Sequence, residues 1–548
     1  MQRFAELFEA LDASTGTRDK VAALRAYFAE AEPADAAWAV AVLSGRKLGR
    51  AVSSTRLREW AAEESGYPPW LIAASHDATG DLGEALALVL PPPPEHEAGD
   101  DVPLHEVFEQ RVRPLGEMSQ QQQRETIVDT WRRFDARRRF LYHKLISSSF
   151  RVGVQKKLVI RALAEHAGLE PATVALRFSG SWQPTAENFR ALLAPEGEEL
   201  GAAAADRPYP FCLAYPLDVD LAELEAPGDW LIERKWDGIR AQAIRRGERV
   251  YLWSRGEELV SEAFPEIVQA MRQLDRDAVL DGEIVGWEDD RPLPFTELQK
   301  RLNRKRVEPS LFPDVPVALV AYDLLELDGG DLRSERMDER RARLESLLDR
   351  DEPVLRLSPR IEAATWDAVR EEVQASREKG VEGLMLKRRD SAYGVGRQRG
   401  TWWKWKVAPY TVDAVLVQAE QGHGRRAGLF TAYTFAVWDR EPADGEEHGK
   451  SDPPSLVNVT RAYSGLTNDE IEKVDRWIRD HTVTKHGPVR IVEPYWVFEI
   501  AFEGLQRSPR HKAGLALRFP RMNRWRTDKG VGEADTLERL TALLPRRG

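Results

Sequence analysis

The stretch Glu233-Arg234-Lys235-Trp236-Asp237-Gly238-Ile239-Arg240 sets a lysine at the end of a strand-like run, with an Asp-Gly turn directly after it. That arrangement presents an amine at the mouth of a sheet, although an ordinary surface lysine before a hairpin turn would read the same way. Residues further along the chain narrow the choice. Ser254-Arg255-Gly256 closes a short strand, and Leu280-Asp281-Gly282-Glu283-Ile284-Val285 puts acids at the start of a β-rich run. Ala321-Tyr322-Asp323-Leu324-Leu325 ends an apolar run with an aromatic, and Val381-Glu382-Gly383-Leu384-Met385-Leu386-Lys387 supplies another acid beside a strand. In Trp402-Trp403-Lys404-Trp405-Lys406-Val407, alternation puts Lys404 and Lys406 on one face and Trp403, Trp405 and Val407 on the other. Arg524-Trp525-Arg526-Thr527-Asp528-Lys529 adds a cationic knot near the C-terminus. Lysine, converging cations and two acids suit covalent phosphoryl chemistry. An amine attacks phosphorus only when unprotonated, so neighbouring cations or a metal must bring its pKa down from ~10.4. The same charges stabilise the pentavalent phosphorus, and a covalent intermediate splits one hard condensation into easier steps.

The ordered series K-W-D-G, S-R-G, D-G-E, A-Y-D, E-G-L-M-L-K, W-K-W-K and R-W-R-T-D-K resembles the covalent nucleotidyltransferases and, within them, the ATP-dependent DNA ligases, in a bacterial form; it extends over residues 130–530. The resemblance implies Lys235 as the nucleophile that becomes lysyl-AMP, with Glu233 reading the adenine amino group. It implies Arg240 and Arg255 holding the nucleotide, Glu283 the ribose and Tyr322 stacking on the base. Glu283 and Glu382 would hold Mg²⁺, with Mn²⁺ as an alternative, and Lys404 and Lys406 the α-phosphate. Arg526, Asp528 and Lys529 would orient the departing pyrophosphate. Many relatives carry an arginine where Gln398 stands in Gly396-Arg397-Gln398-Arg399-Gly400; Arg397 and Arg399 are both placed to substitute, with Arg397 preferred. ATP is the implied AMP donor, because a single cysteine, Cys212, cannot supply the four-cysteine zinc finger of NAD-dependent ligases.

The elements that must position these residues fall into three textures. Up to about residue 205 the pattern is helical: Phe4, Leu7, Phe8 and Leu11 share a face, and Leu158, Val159, Ala162 and Leu163 form a buried stripe. Pro91–Pro94 with the acids 95–101 reads as a stiff loop, and Pro195-Glu196-Gly197 opens a linker. Short strands with intervening helices occupy 206–408, including the apolar run Val317–Tyr322. After that, 409–548 is again strand-rich, with Thr467 and Glu470 forming a capping box before one helix. The expected architecture is multidomain α+β: an N-terminal all-α DNA-binding domain at 1–205, an α+β adenylation domain at 206–408, and a C-terminal OB-fold β-barrel at 409–548. Val407–Thr411 is the expected hinge, on which the barrel closes over the nucleotide and then swings away.

The helical region separates this reading from its rivals. His143-Lys144-Leu145-Ile146-Ser147 and Gly153-Val154-Gln155-Lys156-Lys157-Leu158 resemble the ligase DNA-binding domain, which capping enzymes and most RNA ligases lack. Lys144, Lys156, Lys157 and the Gly153 amide would then grip phosphates without reading bases. Residues 131–161 hold ten Lys/Arg against one acid, Asp135, in a chain of net charge −11, so a polyanion would be held at discrete places. Lys300–Arg306 and Arg518–Lys529 are further basic knots, and 441–447 is acidic. A catalytically silent nucleic-acid binder would have no use for the intact set Lys235, Glu283, Glu382 and Lys406. The expected substrate is nicked duplex DNA, encircled by the three domains of a monomer. No run approaches ~18 apolar residues, and Met1–Glu6 is charged where a signal peptide is apolar, so a cytoplasmic enzyme is expected.

Overall fold

The computed structural model describes residues 1–548 apart from 15, 46–51, 94–100, 148–149, 151, 180–181, 196–206, 303–314, 350–351, 423–427, 443–453 and 545–548. The basic segment 303–306, most of the acidic stretches at 95–101 and 441–447, and the linker from residue 196 lie outside the described residues. The chain forms two compact units, one of residues 1–5, 47–150 and 408–548 and another of 6–46 and 151–407.

The helical region contributes to both. In the second unit, helix Thr17–Glu30 packs on Lys156–Ala167, and Pro33–Leu43 on Ala186–Leu193. Val159, Ala162 and Leu163 are the buried positions expected of the 156–167 stripe. In the first, helices Ser54–Ser65, Pro69–Thr79, Leu82–Val89, Gln120–Arg133 and Ala136–Ile146 pack together. Among the described residues no helix is long and apolar enough to cross a membrane.

His143 belongs to this helical core. It is 2% exposed, sits 5.5 Å from the Trp131 ring, and neither ring nitrogen has a hydrogen-bond partner among the described residues. Burial, reinforced by Arg139, pushes its pKa from 6.5 down to about 3. The unfolded chain therefore binds a proton here that the folded chain refuses. The stabilisation is complete above pH 6.5 and is lost as pH falls towards 3. Between pH 6.5 and 5 this one group should cost up to ~2 kcal/mol. Urea unfolding at several pH values should show that loss, and His143→Leu should flatten it.

Strands β1 (Trp230–Lys235), β2 (Ile239–Arg246), β3 (Arg249–Ser254), β4 (Ala278–Glu288), β5 (Val317–Leu327), β6 (Gly383–Arg388) and β7 (Trp402–Lys406) build the second unit's sheets. One sheet runs Leu355–Leu357, β5, β4, β2, β3; the other runs Tyr215–Pro216, β7, β6, β1. Period-2 alternation divides each strand between two cores. Leu231, Ile244, Trp253, Val279, Leu325, Tyr393 and Trp402 fill the space between the facing sheets. Ala241, Leu280, Ile284 and Leu319 pack the outer face of the first sheet with helix Pro265–Arg272.

In the first unit, β8 (Tyr410–Gln421), β9 (Phe430–Trp438), β10 (Leu456–Ala462), β11 (Thr482–His486), β12 (Val489–Val492), β13 (Val497–Phe502) and β14 (Arg521–Trp525) form a seven-stranded sheet ordered β10, β9, β8, β12, β11, with β13 joining β8 to β14. The reciprocal Thr467–Glu470 capping box starts helix Asn468–Asp480, which buries Ile471, Val474 and Ile478 against that sheet. β11, β12 and β14 carry too little apolar alternation to be visible in the sequence. The break in the strands falls between Lys406 and Tyr410.

Candidate active site

The register of the second sheet assembles the cations. Lys235 stands opposite Gly383, which stands opposite Lys406; two residues along, Glu233, Met385 and Lys404 are aligned. Gly383 has φ +144°, and a Cβ there would come within 2.1 Å of the Trp405 carbonyl oxygen, so only glycine allows the row to close. Arg240 pairs with Glu283 across β2 and β4 on the facing sheet.

Lys235 Nζ donates to Glu382 Oε2, and Lys406 Nζ lies 3.4 Å from Glu382 Oε1. Glu382 thus gathers two of the lysines, Lys235 and Lys406. The Lys404 ammonium has its pKa lowered, by burial first and then by Arg397, Lys235, Lys406 and Arg255. Five cations therefore share one electrostatic neighbourhood. Of the two candidate arginines, Arg397 belongs to it, whereas Arg399 donates to Asp218 at 2.9 Å. Burial raises the Glu283 carboxyl to about 8, against the pull of Lys235 and Arg240 and with the help of Asp281 and Glu382. Glu283 and Glu382 bring two carboxylates into one electrostatic neighbourhood, the hard oxygen donors that a divalent cation takes.

Two residues are placed differently from the sequence expectation. Arg240 is turned inward: Nε and Nη2 donate to Asp281 at 3.1 and 2.7 Å, and Nη1 donates to the Cys212 carbonyl at 2.5 Å. Asp281 is fully buried and also accepts from the Tyr393 hydroxyl at 2.7 Å, so it demands that countercharge. Arg240 is therefore held by Asp281 and the Cys212 carbonyl while its guanidinium lies 5.8 Å from the Tyr322 ring and within electrostatic reach of Glu283. Glu233 is 1% exposed, and its two oxygens accept from Arg341 Nη1 and Lys387 Nζ, each at 2.6 Å. The Lys387 ammonium lies over the rings of Tyr322 at 4.2 Å and Trp402 at 4.6 Å. Beside them Arg340 holds Asp323 through two bonds of 2.8 and 2.9 Å. Arg340, Arg341, Lys387, Asp281 and Tyr393 had no assigned role in the sequence. Two adjacent arginines in a helix read as a solvated face, and only their burial shows otherwise.

Arg526 and Lys529 lie in the first unit, where both donate to Asp413 Oδ2 at 2.7 Å. Asp528 accepts from Arg526 Nε and Nη2, which holds its carboxyl well below the usual range. Asp528 is thus paired with the arginine.

The basic run 131–161 is largely neutralised within the fold. Arg132, Arg133, Arg138 and Arg161 pair with Glu64, Asp129, Asp135 and Glu165. Arg139 is buried on the carbonyls of Trp131, Leu90 and Pro91. Lys144 is a correction: its ammonium pairs with Asp81, the N-cap of helix Leu82–Val89, and lies 5.1 Å over the Phe140 ring, so it is not offered to solvent. Lys156 pairs with Glu257 and covers the Phe178 ring, while Lys157 is exposed. Gly153 adopts φ +64°, and its loop is tied by Lys20, whose Nζ donates to the carbonyls of Val152 and Gly153.

Three family models match in chain order: the DNA ligase N terminus over residues 1–164, the ATP dependent DNA ligase domain over 213–406 and the ATP dependent DNA ligase C terminal region over 426–529. The chain belongs to the ATP-dependent DNA ligase family. A probable DNA ligase of Koribacter versatilis is 33% identical over 99% of this chain and 96% of its own length. DNA ligase 1 of Korarchaeum cryptofilum is 28% identical over 99% of this chain and 98% of its own. The solved structure Pmar-Lig_PreS3 shares the fold, with a TM-score of 0.61 at 16% identity, covering 95% of this chain and 99% of that one. Ligases of this family draw AMP from ATP and seal DNA through adenylate intermediates.

Proposed function

We propose that this ligase seals nicks bearing a 5′-phosphate and a 3′-hydroxyl in duplex DNA, acting as a cytoplasmic monomer in repair, replication or recombination. The observation that carries this reading is the register that sets Lys235 and Lys406 on either side of Gly383 and both on Glu382, with Lys404, Arg397 and Arg255 in the same electrostatic neighbourhood, a cationic seat for a triphosphate beside an amine.

Lys235 Nζ, released from Glu382 and having given up one ammonium proton to solvent, attacks the α-phosphorus of ATP with its free lone pair. The N–P bond forms, the bond to the β-phosphate oxygen breaks, and pyrophosphate leaves against Arg526 and Lys529. Lys404 and Lys406 balance the α-phosphate charge, and Arg255 and Arg397 the rest of the chain of phosphates. Glu233 accepts from the adenine amino group once the base enters and the side chains of Arg341 and Lys387 that now cover its oxygens make room, Tyr322 stacks on the base, and Glu283 serves the ribose. Glu283 and Glu382 would hold Mg²⁺ or Mn²⁺, which neutralises phosphate charge. AMP then passes to the 5′-phosphate, and the 3′-hydroxyl displaces it. The break after Lys406 is the proposed hinge, on which the barrel closes for adenylation and withdraws for sealing.

The test is incubation with α-labelled ATP, then with nicked duplex. Covalent label that moves to the DNA and departs as AMP is the expected result; a protein that binds nicks but takes no label is a silent binder.

Phosphate gripping is proposed for Lys157, the Gly153 amide, and Lys156 once it leaves Glu257. Lys156→Ala/Lys157→Ala should weaken nicked-duplex binding for all sequences alike, reducing the salt slope by ~1 to 2. Lys144→Ala should leave that slope unchanged. Binding titrations at several salt concentrations check both, and self-adenylation with free ATP should survive in each.

A further inference from the structure

We propose that Asp413 is the positioning residue that holds Arg526 and Lys529 together as one pyrophosphate-binding pair; this rests on the reading that those two cations orient the leaving group.

Asp413 lies on β8, only 7% exposed. Its main chain is pinned on both sides, because its N–H donates to Asp535 Oδ2 at 2.8 Å and its carbonyl accepts from the Asp535 N–H at 2.9 Å. A single oxygen, Oδ2, accepts from both Arg526 Nη1 and Lys529 Nζ at 2.7 Å. Oδ1 is buried and has no hydrogen-bond partner among the described residues. The carboxylate is therefore given wholly to the two cations. Like charges this close repel, and without an anion between them the two side chains would splay apart.

The Arg526–Lys529 pair has a second carboxylate of a different kind. Asp528 caps the outer edge of the Arg526 guanidinium, and its side chain is 62% exposed. A planar guanidinium edge matches phosphate oxygens as well as it matches a carboxylate. An incoming phosphate can replace the solvent-exposed Asp528, but it cannot dislodge the buried Asp413. Asp413 thus sets the geometry in advance, and the ordering cost of bringing the cations together is met during folding and not on binding.

The experiment uses the full-length enzyme and pyrophosphate-driven removal of AMP from the adenylated protein, which returns ATP. Asp413→Asn keeps the shape and removes the charge. The pyrophosphate concentration at half-maximal rate should rise roughly tenfold, the scale of one charge-assisted hydrogen bond. The maximal rate should fall less, and sealing of a pre-adenylated nick should not change. In an Arg526→Ala/Lys529→Ala background, adding Asp413→Asn should cause no further loss. An unchanged pyrophosphate dependence, equal damage to pre-adenylated sealing, or a full additional loss in that background would each overturn the positioning role. If Arg526→Ala/Lys529→Ala itself adenylates normally, the assignment of the pair falls and this inference with it, an outcome distinct from the other three.

Discussion

Lys235→Ala, supplied with α-labelled ATP, should take up no label at all, and Lys235→Arg should do the same. The alanine has no nucleophile; the guanidinium stays protonated at working pH and has no lone pair to offer phosphorus. The loss belongs to the chemistry and not to folding, because Lys235 is the last residue of β1 and its side chain is partly exposed beside Glu382. Both variants should still join a nick that already carries AMP on its 5′-phosphate, since that step needs the 3′-hydroxyl and the phosphate cations but no lysyl-AMP. Gel-resolved label transfer and sealing of a pre-adenylated substrate separate the two steps. Sealing from ATP by Lys235→Ala at the normal rate would sink the proposed mechanism.

The second large effect is on stability. Arg340 and Asp323 are both fully buried and joined by two short bonds. Arg340 also donates to the Glu335 and Ser391 carbonyls, so it ties three segments together. Arg340→Leu would leave the Asp323 carboxylate buried with, among the described residues, only the Leu324 N–H for it, at a cost of ~3–5 kcal/mol. Asp323→Leu/Arg340→Leu should recover much of that loss, because removing both partners removes the uncompensated charge. Chemical denaturation of the two variants decides it: a double variant as unstable as the single one would show that the carboxylate is not what makes Arg340→Leu costly. Arg341 and Lys387 around Glu233 are buried as deeply, and removing either should carry a penalty of the same kind.

The site was legible in the sequence where its logic is local. Alternation alone puts Lys404 and Lys406 on one face of a strand and Trp403 and Trp405 on the other, and the structure keeps that division. The order of short motifs from Lys235 to Lys529 identified the family, and the capping box at Thr467 and Glu470 marked a helix start correctly. These are relations within a few residues of chain, or an order along it, and a single sequence carries them in full.

Tertiary structure alone decided which charges are available. Cross-strand register set Lys235 against Gly383 and Lys406, and packing turned Arg240 and Glu233 inward onto Asp281, Arg341 and Lys387. Lys144 was paired with Asp81, 63 residues away, while Asp413 was matched with Arg526 and Lys529 more than a hundred residues downstream. The reason is physical. A charged side chain reads the same in sequence whether it faces solvent or a buried partner, and burial, which makes a partner obligatory, is fixed only when distant strands and helices meet.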